Sequence, residues 1–153
     1  MDRGGEIMRS KILLCAVVIG AVLMTGFAMS QASAEGTEKQ PADSVVVYYF
    51  HGNFRCTNCY NMEQWTKELM ETCFKNQIDS GKLALKIFNT DEKENQHFLN
   101  DYKLYTKSIV LSLVKGGKET RYDNLAKVWD CLRSKEKFQE YVRTEIEKYL
   151  KEV

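Results

Sequence analysis

Proline is almost missing from this chain. The single copy, Pro41, lies in the first third, and without an X-Pro bond beyond it cis peptide bonds are not expected in the remainder. Neither sign of charge is in excess, with 22 Lys and Arg against 21 Asp and Glu. Beyond residue 34 the two signs balance, so there is no electrostatic footprint for nucleic acid or for an anionic membrane surface, and neither partner is expected. Internal repeats and low-complexity segments are absent, as is any motif for a flavin or a resident metal, so no cofactor is expected.

What is present suits one compact domain. The 153 residues are 44% apolar and 28% charged, the balance of a globular chain rather than a disordered one. Seven Phe, eight Tyr and two Trp supply ample bulk for a core.

The N-terminus reads as a targeting segment. Arg9 and Lys11 precede an uncharged apolar run from Ile12 to Met29, and Ala32-Ser33-Ala34 follows as a small-x-small cleavage pattern. That order is a secretory signal peptide. Residues 1–34 are therefore assigned to the signal, 35–44 to a polar linker and 45–153 to the folded domain. This places the domain outside the cytoplasm, periplasmic or secreted. The alternative is an uncleaved anchor facing the same way, since 18 helical residues reach about 27 Å against roughly 30 Å of hydrocarbon. Cys15 opens the apolar run instead of closing it, which argues against a lipoprotein.

Val45 to Phe50 is a continuous run of Val, Tyr and Phe, the pattern of a strand buried on both faces. His51 to Arg55 reads as a loop. A long helix is predicted from Thr57 to about Gln77, ended by Asp79-Ser80-Gly81, with Met62, Trp65, Leu69, Met70 and Cys73 as its buried stripe. Leu83 to Phe88 alternates as a second strand. Glu92 to Tyr102 is predicted as a polar helix capped by Asp91, with Phe98, Leu99 and Tyr102 on its apolar side. Ser108 to Val114 and Glu119 to Tyr122 form strands around the hairpin signal Lys115-Gly116-Gly117-Lys118. Asp123 or Asn124 is a candidate cap for a closing helical region broken near Ser134. The fold class is α/β, a central mixed sheet of about four strands in the order β-α-β-α-β-β-α, flanked by helices.

The motif that carries chemistry is Cys56-Thr57-Asn58-Cys59, where the first strand meets the long helix. Unpaired N–H groups and the helix dipole favour an anion at a helix start. A Cys56 thiolate is stabilised there, Arg55 adds a positive charge, and the thiolate is the species that attacks disulfides. Cys59, one turn on and more buried, would resolve the mixed disulfide. Its proton acceptor is Glu63, on nearly the same helix face, or His51 in the preceding loop. Glu63 paired with Lys67 and His51 bonded to backbone are the plainer alternatives. Phe54 is an apolar platform for a partner or an ordinary loop contact. Cys73 and Cys131 read as small core hydrophobes, with a disulfide between them the alternative.

From Val45 to Val153 the chain resembles the thioredoxin superfamily. More narrowly, Tyr49-Phe50-His51-Gly52, Arg55-Cys56, Cys59 and Glu63 resemble the small exported thioredoxin-like family labelled nitrophenyl compound nitroreductase subunit, ArsF type. The resemblance implies a thioredoxin-like fold and a place among proteins handling aromatic nitro or arsenical compounds beside a membrane transporter. The chain departs from thioredoxins in Arg55, in Thr57-Asn58, and in having no buried acid on the first strand, where Tyr49 and Phe50 stand. The corner that carries a cis-proline in thioredoxins falls to Ser108 or Ile109. These departures suggest a specialised partner.

Three functions follow as expectations. The first is an exported thiol–disulfide oxidoreductase passing electrons to a dedicated protein partner, such as a membrane thiol reductase or transporter. The second is a soft-metal or metalloid binder using Cys56 and Cys59 as ligands. The third is a non-catalytic thioredoxin-like subunit whose thiols brace an interface.

Overall fold

The computed structural model describes residues 43–153. The signal or anchor segment and all of the linker up to Ala42 lie outside the described residues.

The sheet has four strands: β1 (Ser44–His51), β2 (Leu83–Asn89), β3 (Ser108–Lys115) and β4 (Lys118–Asn124). Their spatial order is β2-β1-β3-β4. β2 runs parallel to β1, with Val47 opposite Leu85. β3 runs antiparallel to β1, with Val47 opposite Leu111, and β4 returns antiparallel to β3. The apolar run of β1 is thus central and covered on both faces, as its composition requires. The β3–β4 turn uses Gly116 and Gly117 at φ of 56° and 77°, the left-handed pair a two-residue hairpin needs.

Among the described residues there are five α-helices: α1 (Thr57–Cys73), α2 (Lys75–Asp79), α3 (His97–Asp101), α4 (Val128–Cys131) and α5 (Lys135–Leu150). The order β-α-α-β-α-β-β-α-α, which is β-α-β-α-β-β-α with the first and last helical regions each broken in two, and the mixed pairing are those of a thioredoxin-like α/β fold. On one face Val45, Val47 and Tyr49 pack with Met62, Leu69 and Met70 of α1 and Phe138, Val142 and Ile146 of α5. On the other, Phe50 and Val110 meet Tyr102 and Leu104, with Phe88 and Phe98 against them.

Several local expectations change. Asp43 and Ser44 belong to the domain rather than to a linker: the Gly116 N–H donates to Asp43 Oδ1 at 2.9 Å, and Ser44 opens β1. His51 ends β1 instead of opening a loop. The long helix stops at Cys73 because Phe74, 3% exposed, turns into the core and leaves helical geometry at φ −123°. Cys73 is exposed, not part of the stripe, and Thr66 is buried on that face instead. Cys131 is half-buried and both thiols are free.

The predicted polar helix is reduced to a 3-10 turn over Lys93–Asn95 and the five-residue α3, and Leu99 is exposed. Asp91 caps neither, because its carboxylate faces the loop after β1. Asp123 and Asn124 extend β4. The closing helical region does break at Ser134, whose hydroxyl caps α5 by accepting the Lys137 N–H.

Candidate functional site

Cys56 stands at the N-cap position of α1 in extended conformation, where the apolar β1 hands over to a helix-forming sequence. Its carbonyl accepts the N–H groups of Cys59 at 2.9 Å and Tyr60 at 3.2 Å, which closes the turn between the two cysteines. Their sulfurs lie 2.8 Å apart. Cys56 is exposed, whereas Cys59 is 1% exposed. The two thiols are therefore unequal. The Cys59 thiol, followed by the N–H groups of Cys59 and Asn58, holds the Cys56 thiol below its ordinary range. Burial, followed by the contact with Cys56, pushes the Cys59 thiol up, against a pull from the Lys107 charge.

Arg55 is not spent on the thiolate. Its guanidinium donates to Glu63 Oε2 and lies 4.5 Å from the Tyr60 ring and 5.9 Å from that of Tyr49. The second Glu63 oxygen takes Lys67 Nζ at 2.5 Å. Burial alone would raise the Glu63 carboxyl, but the hydrogen bonds from Lys67 and Arg55 prevail and hold it below the usual carboxylate range. Glu63 is therefore a doubly paired anion, the plainer of its two readings. His51 likewise takes its plainer form: Nδ1 lies 3.1 Å from the Gly52 carbonyl, an acceptor that requires the proton on that nitrogen.

The loop between β1 and α1 is braced from β2. The Asn53 N–H donates to Asp91 Oδ2 at 2.6 Å, and Asn89 Nδ2 donates to Asn53 Oδ1 at 2.7 Å. A Cβ at Gly52 would stand 2.9 Å from the same Asp91 oxygen, so a larger residue there would push the Asp91 side chain aside. The corner before β3 is trans, as are all peptide bonds among the described residues. Trp129 fixes it by donating its indole N–H to the Lys107 carbonyl at 3.1 Å, and the Ser108 hydroxyl donates to the Thr106 carbonyl at 2.9 Å. Phe54 is 80% exposed and Lys107 Nζ stands 5.9 Å from its ring. A cleft of about 200 Å³ between them is bordered by His51, Asp91, Tyr105 and Thr106.

No protein-family model matches the chain, and no curated protein matches it. Solved structures similar to it include thioredoxin of Fasciola hepatica, 17% identical, covering 69% of this chain and 81% of that one at a TM-score of 0.42. Another is the reduced thioredoxin pre-protein of Schistosoma mansoni, 21% identical, covering 61% of this chain and 81% of that one at a TM-score of 0.37. A malarial protein is 15% identical, covering 66% of this chain and 96% of its own at a TM-score of 0.41. The fold assignment rests on the strand order and pairing described above.

The structure thus brings together Cys56, Cys59, Arg55 and Glu63 at one helix start, with His51 at the adjoining strand end. Sequence reasoning missed Tyr49, Asp91, Lys107 and Trp129 as parts of this site. Tyr49 did carry a signal: it is a polar-tipped ring inside a buried strand, and such a hydroxyl must find a partner. The other three become neighbours only through pairing between distant segments. Among the described residues no group of three or more His, Cys, Asp and Glu is placed to hold a metal ion.

Proposed function

We propose that this chain is a thiol–disulfide oxidoreductase acting outside the cytoplasm on one dedicated protein partner. The observation that carries the reading is the unequal sulfur pair: an exposed thiol with a lowered pKa, 2.8 Å from a buried thiol with a raised one. In the reducing direction the Cys56 thiolate attacks a partner disulfide, forming a Cys56–partner bond and releasing one partner thiolate. Cys59 then loses its proton to solvent and attacks Cys56 Sγ. The Cys56–Cys59 disulfide forms, and the second partner thiolate leaves.

Export is supported by the Arg9–Ala34 pattern, and the dithiol then needs an electron source outside the cytoplasm, such as a membrane thiol reductase. The resemblance at Tyr49–Gly52, Arg55-Cys56, Cys59 and Glu63 supports electron delivery in aromatic nitro or arsenical compound reduction, beside a transporter. The dithiol would there feed a separate reducing centre.

The metal-binding alternative has only the two sulfurs to offer, since among the described residues no group of three or more His, Cys, Asp and Glu is placed to complete a ligand set.

The test is exchange with a disulfide-bonded peptide. The wild-type chain is expected to leave free peptide thiols and a Cys56–Cys59 disulfide, while Cys59→Ser stalls as a mixed disulfide through Cys56. A wild-type chain that exchanges in neither direction, its reduced form leaving the peptide disulfide intact and its oxidised form leaving the reduced peptide's thiols free, would overturn the reading.

A further inference from the structure

The first turn of α1 is anchored in an unusual way. A helix start is ordinarily held by a side-chain oxygen that accepts one of its free N–H groups. Here Cys56 at the N-cap makes no such bond, and no acidic residue stands in the first turn. A conventional cap would compete with the Cys56 sulfur for the same donors. Left alone, however, an uncapped first turn frays, and fraying would separate the two sulfurs.

Tyr49 supplies the missing hold from the other side. It sits on the central strand at 0% exposure, and its hydroxyl donates to the Cys59 carbonyl at 2.8 Å in a buried contact. That bond ties the turn to the sheet through an acceptor and uses none of the turn's donors. Around it, Arg55 links the Tyr49 ring, the Tyr60 ring and Glu63, which brackets Cys59 from the neighbouring turn. His51 closes the site beyond Tyr49, with the two rings 5.7 Å apart.

We propose that Tyr49 is the positioning residue for the resolving thiol: its phenol anchors the uncapped turn by the Cys59 carbonyl, keeps Cys59 Sγ within reach of Cys56 Sγ, and leaves the N–H groups to the Cys56 thiolate. The inference rests on the dithiol acting in disulfide exchange. It assigns Tyr49 to the second step only, because Cys56 is exposed and attacks its target without help from the strand. The resolution step is intramolecular and depends on alignment within a fraction of an ångström.

The experiment uses Tyr49→Phe, which keeps the ring and removes the hydroxyl, and the aromatic disulfide 5,5′-dithiobis(2-nitrobenzoate). With Cys15, Cys73 and Cys131 replaced by Ser in both chains, so that only the dithiol reacts, each reduced chain releases one thionitrobenzoate when Cys56 attacks and a second when Cys59 resolves, with two protons passing to solvent. The expected result is a first phase within twofold of wild type and a second phase slowed about tenfold. A tenfold fall in the equilibrium constant for closing the disulfide also makes the variant's reduction potential about 30 mV less negative. Equal slowing of both phases would show a merely structural Tyr49, and unchanged phases would remove its role altogether. Either result overturns the inference. A wild-type chain without any second phase would instead defeat the exchange reading itself. Proton exchange in the wild type covers the case of a variant that fails to fold: the Tyr49 hydroxyl proton is expected to resist exchange with solvent, and rapid exchange contradicts the anchor.

Discussion

Glu63 illustrates how much a single residue's role depends on its partners. Spacing alone places it on the face of Cys56 and Cys59 and makes it a candidate relay. The structure gives it two cations, Arg55 and Lys67, and a carboxylate so paired is a poor proton acceptor. Glu63→Gln is expected to cost about 1 kcal/mol, because Arg55 loses its ionic partner while its Nε has no hydrogen-bond partner among the described residues. The pH dependence follows from the lowered pKa. The stabilisation by Glu63 is fully present above the ordinary value of 4.5 and is lost as pH falls through the lower folded value. Denaturant melts of wild type and variant should therefore differ at neutral pH and converge in acid. A constant difference across that range would contradict the pairing. At this scale the two paired cysteines were legible, since their spacing and their place at a strand–helix junction are local facts. Tyr49 was not, because its partner lies ten residues away across a turn.

Among the elements, strands and the hairpin were legible and the short helices were not. The Val, Tyr and Phe run and the Gly-Gly turn encode their conformations within a few residues. The break at Phe74 depends on a ring turning into a core built by distant strands, which no periodicity reports. The segment around α3 shows the same dependence, since Asp91 leaves a capping role to brace Asn53 on another loop. α3 itself ends with Lys103 in the left-handed region at φ 52°. The Leu104 N–H then bonds the Leu99 carbonyl at 2.9 Å and the Lys103 N–H that of Asn100 at 3.3 Å, a Schellman-type ending that favours glycine. Lys103→Gly is thus expected to raise stability by about 1 kcal/mol, read as a higher denaturation midpoint. A lower midpoint would mean that Lys103 makes a contact of greater worth than its backbone strain.

For the whole molecule, the fold class was legible because the order of elements is itself the signature, and parallel and antiparallel pairing follow from connection lengths. The arrangement brings the end of β1, the start of α1 and the corner before β3 to one end of the sheet, so both sulfurs and a cleft lie together there. Under the proposed exchange, the direction of electron flow is set by how much the closed disulfide is favoured over the dithiol. That balance is what the most direct measurement reads. The reduced chain is equilibrated with glutathione or dithiothreitol buffers, and the Cys56–Cys59 state is counted by mass after alkylation. One reversible two-electron transition is expected between roughly −270 mV, as in a thioredoxin-like reductant, and −120 mV, as in a strong oxidant, with its loss in Cys56→Ser. A Cys56–Cys59 pair that stays reduced across the whole range would contradict it and leave soft-metal binding as the better account of the two thiols.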